Sequence, residues 1–162
     1  MRDFITYATF MIILGIILFF AFTFIHEAGH QQALSSEGIE SRINLNLVWP
    51  HGETSPATFD NCEKFNGLQQ EAKAKIYYAG IRYNTSLLTL ISFFLLASLA
   101  FSLKKPEMLS KTWYCLLLLG LIEAILILIY PITINANPTT SAGDMWKLVH
   151  NFTFDCNSLF LH

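Results

Sequence analysis

An apolar run without a single charge extends from Phe4 to Ile25 and passes directly into His26-Glu27-Ala28-Gly29-His30. A run of this kind reads as a helix, because a helix satisfies its own backbone polar groups, and about 20 residues of it cross a ~30 Å hydrocarbon layer. On that helix two histidines four positions apart share a face, about 40° apart at ~100° per residue. Neutral imidazoles so placed can hold one Zn²⁺, and the Glu27 carboxylate beside them can take a proton from an activated water. His and Glu at the edge of a lipid-embedded helix are costly unless paired or metal-bound, so their presence there points to function.

Composition supports lipid as the solvent. Of the 162 residues, 53% are hydrophobic and 14% charged, against roughly 25% charged in an ordinary soluble domain. The mean hydropathy is +0.44. The net charge of −2 comes with no basic stripe, which argues against a nucleic-acid partner. The first run is longer than a 7–15-residue signal-peptide core and no A-x-A site follows it, so it is expected to be retained. Three cysteines, Cys62, Cys115 and Cys156, are an odd number without C-x-x-C spacing. Cys115 lies in an apolar run, and a Cys62–Cys156 pair is left open.

The expected fold is a single all-α membrane domain over residues 1–162. Its three transmembrane helices lie at about 4–33, 76–103 and 113–134, making a multi-pass protein in the bilayer. A polar loop, 34–75, follows the first span. Within it Arg42-Ile43-Asn44-Leu45-Asn46-Leu47 alternates as a strand does. Pro50, Gly52 and Pro56 are expected to break regular structure after it. Glu71-Ala72-Lys73-Ala74-Lys75 restarts a helix. Beyond Pro131 a turn-rich stretch leads to an amphipathic C-terminal helix from about Met145. Outside the spans, Arg2, Lys104, Lys105 and Lys111 stand at one end, and Arg42, Lys64, Lys73, Lys75 and Lys147 at the other. Four against five leaves orientation open.

A zinc site needs a third protein ligand, and the H-E-x-x-H-x-x-G-x-x-H solution is absent, since Ala33 and Ser36 hold the relevant positions. Glu71, Glu123, Asp144 and Asp155 remain as candidates. His51, His150 and His162 lack ligand spacing. Gly29 and Gly80 are read as sites of close helix approach.

Three ordered anchors carry a resemblance. They are His26-Glu27-Ala28-Gly29-His30 ending a span, Ala79-Gly80-Ile81-Arg82-Tyr83-Asn84 opening the next, and Asn135 and Pro138 before Asp144. Together they resemble the site-2 protease family of intramembrane zinc metalloproteases. Ile81 stands where that family has Pro, Asp144 comes one residue later than its pattern, and Met145 replaces Gly. The resemblance implies a three-helix catalytic core, one Zn²⁺ per chain held by His26, His30 and Asp144, and Glu27 as general base. It implies a transmembrane protein substrate and a catalytic end near the cytosolic face. Asn84 is a candidate donor to substrate or oxyanion, and Asn135 and Asn137 compete for a comparable role. The strand near Ile43–Leu47 offers an edge for an unwound substrate. Alternatives are a CaaX-type membrane metalloprotease with Glu123 as third ligand, or a non-catalytic binding or chaperone module. A regulatory membrane partner stays open.

Overall fold

Residues 2–46, 51–104, 111–139 and 143–160 are described by a computed structural model. Helix α1 (Arg2–Ser36) continues unbroken from the apolar run through the His/Glu motif. It stops at Gly38, whose φ of +68° lets the Gly38 and Ile39 amides bond back to the Ser35 and Leu34 carbonyls, each at 3.0 Å. That is a Schellman closure, in which glycine meets the left-handed backbone without a Cβ penalty.

Two antiparallel strands follow, β1 (Ser41–Asn46) and β2 (His51–Pro56), with Ile43 opposite Thr54 and Leu45 opposite Gly52. The alternation expected for β1 is present. Of the breaks expected at Pro50, Gly52 and Pro56, Pro50 lies outside the described residues, and the other two are absent because β2 covers both. The Ala57 amide bonds to the Glu40 carbonyl at 2.9 Å, which makes Ser41↔Pro56 a pair that exchanges no hydrogen bonds and so needs no N–H from proline. Gly52 fits because a Cβ there would come within 2.7 Å of Glu27 Cγ.

Helix α2 (Phe59–Asn66) is capped by Thr58, whose side chain accepts from the Asn61 amide. Helix α3 (Gln70–Lys104) runs back along α1, and α4 (Lys111–Ala136) packs on both. Residues 105–110 between them lie outside the described residues. Gly29 is where α1 and α3 close up: a Cβ there would lie 2.9 Å from the Ala79 carbonyl oxygen.

The single C-terminal helix expected from Met145 is instead two short ones, α5 (Asp144–Val149) and α6 (Cys156–Phe160). Asn151, at φ +47°, ends α5 with a second Schellman closure, Phe152 N to Lys147 O at 2.8 Å and Asn151 N to Leu148 O at 3.2 Å. The chain then crosses to α2. Asn66 donates to the Phe154 carbonyl and accepts from its amide, both at 2.9 Å. A Cys62–Cys156 disulfide joins α2 to α6.

The buried apolar cluster sits at this end of the molecule and comprises Leu34, Ile39, Phe65, Ile76 and Tyr77. Along the long helices the pattern reverses: Ile12, Ile13, Ile16 and Ile17 of α1, Leu90, Phe93 and Leu96 of α3, and Ile122, Leu126 and Ile129 of α4 face outward. Among the described residues one helical segment, Ile12–Ser36, is long and apolar enough to cross a membrane. The other two expected spans are helical, within α3 and α4, but do not meet that test on the described residues.

Candidate metal centre

His26 and His30 lie one turn apart on α1 and turn their rings toward α3 at Gly80. A Cβ at Gly80 would collide with His30 Nε2 and come within 2.7 Å of His26 Cε1. Close approach at this glycine is therefore what makes room for the two rings. His26, Glu27 and His30 are all buried and form a group able to hold a metal ion.

Asp144, the first residue of α5, completes the arrangement from the far end of the chain. Its Oδ2 lies 3.0 Å from His26 Nε2 and 3.2 Å from His30 Nε2, and the two nitrogens are 3.1 Å apart. Three donor atoms thus form a nearly equilateral triangle. A small tetrahedral ion with bonds of ~2.0–2.1 Å sets its donors about 3.3 Å apart, so the triangle is close to the face of such a coordination shell. Asp144 Oδ2 is buried, with the two imidazole nitrogens as its polar neighbours. Burial alone would raise the Asp144 pKa, but hydrogen bonds and charge from His26 and His30 outweigh it and hold the carboxyl below the usual range.

The remaining ring nitrogens fix the tautomers. His30 Nδ1 donates to the Ile76 carbonyl at 2.7 Å, which leaves the Nε2 lone pair directed into the triangle. His26 Nδ1 faces the Asn84 amide at 3.3 Å. Asn84 is 1% exposed and its Oδ1 has no partner. Exchanging the amide's O and N positions, which are nearly indistinguishable in shape, gives Oδ1 the His26 Nδ1 proton and frees His26 Nε2 for a metal. Asn84 therefore lies on the Nδ1 side of the His26 ring, where it can orient that imidazole.

The other two asparagines separate. Asn135, on the last turn of α4, places Nδ2 3.4 Å from His26 Nε2 and so borders the triangle. The Asn137 side chain turns away, accepting from the Thr139 amide at 2.9 Å and from its hydroxyl at 2.7 Å. It shapes the turn after α4 and is not part of the site. Glu123 lies on α4, its Oε2 buried without a partner, outside the triangle. Asp155 bonds to the amides of Asn157 and Ser158 at the start of α6, and Glu71 pairs with Lys75 in the open.

Thr54 was not foreseen. Its Oγ1 lies 2.8 Å from Glu27 Oε2 and 3.0 Å from the Glu27 carbonyl oxygen, with its one proton available to either. The hairpin thus presses on Glu27 through Gly52 and holds it through Thr54. No motif announces this contact, since the partners are 27 residues apart and threonine is common in strands. No protein-family model matches this chain, and neither a curated protein nor a solved structure matches it.

Proposed function

We propose that this chain is an intramembrane zinc metalloprotease similar to the site-2 protease family, hydrolysing peptide bonds of transmembrane or membrane-associated proteins. The observation that carries the reading is the triangle of His26 Nε2, His30 Nε2 and Asp144 Oδ2 with the buried Glu27 carboxylate beside it. Two nitrogens and one carboxylate oxygen are a ligand set suited to catalytic zinc, which keeps a fourth position open. When bound, the ion supplies Lewis acidity, polarising a carbonyl and lowering the pKa of water toward ~7.

The chain's own residues supply the rest. Glu27 takes the proton of the attacking water and delivers it to the leaving amine. Thr54 holds the carboxylate in register for both transfers. Asn135 is placed to donate to oxygen charge that develops on the substrate carbonyl. The ladder register turns the backbone groups of Gly52 and Thr54 away from β1. A substrate strand laid on that edge of β2 passes beside Glu27, as peptide capture by strand addition requires.

The membrane setting is supported by the outward apolar faces of all three long helices, a larger uncovered area than water-soluble monomers tolerate. Only 28% of the most apolar window of Ile12–Ser36 is buried, unlike the enclosed core helix of a soluble domain. On this reading α3 and α4 cross alongside α1.

The CaaX-type alternative would draw its third ligand from Glu123, whereas Asp144 occupies the triangle. A non-catalytic module has no use for a buried, hydrogen-bonded Glu27. Metal analysis of purified protein beside a cleavage assay in membranes tests all three. Glu27→Gln is expected to keep zinc and lose cleavage, and Asp144→Asn to lose zinc while Glu123→Gln keeps it. Full zinc occupancy in Asp144→Asn would transfer the ligand role elsewhere.

A further inference from the structure

We infer that the metal site opens on the oxidising side of its membrane, so that its substrates are membrane-anchored polypeptides whose scissile bonds lie at that face. The inference deepens the protease reading and rests on it. It replaces the cytosolic placement that family resemblance implies.

The argument starts from the Cys62–Cys156 disulfide. Protein disulfides form and persist in secretory, periplasmic or extracellular surroundings and are reduced in cytosol. This one is built into the packing. Cys62 is 0% exposed and Cys156 9%. The bridge sits beside the paired hydrogen bonds of Asn66 to Phe154 and the edge-on contact of Phe65 with Phe154 at 5.1 Å between centroids.

Bridge and metal site share one end of the helix bundle. Cys62 lies in the segment between the end of α1 and the start of α3, and Cys156 lies beyond α4. Those are the helix ends that build the site: His30 bonds to Ile76 near the start of α3, and Asn135 closes α4. Asp144 and Cys156 belong to one segment, which Lys73 of α3 ties down by donating to Asn151 at 3.4 Å. His26 is ten residues from the end of α1, or about 15 Å of helix. Whichever side holds the bridge therefore holds the mouth of the site. Only α1 needs to cross for this to follow, because a single crossing separates Arg2 from Ser36. Basic residues leave the orientation undecided; the bridge decides it. Hydrolysis at this end frees a fragment toward the oxidising compartment.

Thiol accessibility in cells tests the orientation. The full chain carrying Cys115→Ser is expressed in membranes, and intact cells receive an impermeant maleimide mass tag with or without prior impermeant reductant. The expected result is no tag before reduction and two tags after it, both absent from a Cys62→Ser/Cys156→Ser control. Tagging before reduction would leave the bridge unformed but still place this end outside, in support of the orientation; tagging that requires permeabilised cells, or a chain that leaves the membrane fraction, overturns the inference. Should Cys115→Ser not accumulate, the wild-type chain is scored for the gain of two tags on reduction. Glu27→Gln cleavage in the same membranes is scored separately. Two tags with undiminished Glu27→Gln cleavage would sink the protease reading and leave the orientation standing. An inert Glu27→Gln with tags only after permeabilisation does the reverse.

Discussion

Glu27 is pinned from two directions, by Thr54 through a hydrogen bond and by Gly52 through contact. A bond to a charged group is worth about 1.5–3 kcal/mol, so freeing the carboxylate should cost roughly 10-fold or more in kcat. Thr54→Val is expected to lower kcat with zinc content and KM unchanged, and Thr54→Ser to restore it. Steady-state kinetics beside metal analysis checks both. Asn84→Ala should instead weaken zinc affinity, on the order of 10–100-fold as for other residues behind a metal ligand, read by competition with a chelator. At this scale the sequence was partly transparent. His26, Glu27 and His30 announce themselves because one helix sets their spacing. Asp144 does not, because it reaches the site through folding; only resemblance singled it out from Glu71, Glu123 and Asp155. Asn84 was noticed in the sequence, but its contact with His26 Nδ1 was not, since a sequence does not say which side of an imidazole an amide occupies.

The long helices were legible from apolar length, and β1 from its alternation. What escaped was structure whose cause lies in a neighbour. β2 contains Gly52 and Pro56, ordinarily breakers, yet one meets the Glu27 and Thr23 side-chain carbons, which leave no space for a Cβ, and the other a position that needs no amide. Helix α2 is too short for periodicity to reveal, and the C-terminal helix divides because Asn151 adopts a left-handed backbone. The α1–α3 interface gives the sharpest element-level prediction. Gly80→Ala must push α3 away from the imidazoles, so zinc occupancy should fall sharply. Gly120→Ala, whose Cβ would meet Leu14 Cδ2 at an ordinary 3.6 Å, should leave occupancy intact. Equal occupancy in the two variants would contradict the packing described.

Among the described residues, apolar side chains face outward along the long helices while the polar cluster of His26, Glu27, His30, Asn84 and Asp144 is enclosed. The disulfide spans 94 positions of sequence. A bridge of that reach typically contributes about 2–5 kcal/mol, largely by limiting the unfolded chain. Cys62→Ser should therefore lower the thermal midpoint in detergent by on the order of 10 °C, and Cys156→Ser by a similar amount, followed by a fluorescence melt.

The donors of the metal triangle come from opposite ends of the chain, His26 and His30 early and Asp144 late. A ribosome making this protein therefore exposes the reactive carboxylate long before the residue that would complete the ion's grip. On the proteolytic reading, a nascent chain has no complete metal site until translation has passed Asp144. Any chain truncated before that point would carry Glu27 and both imidazoles without the third corner of the triangle.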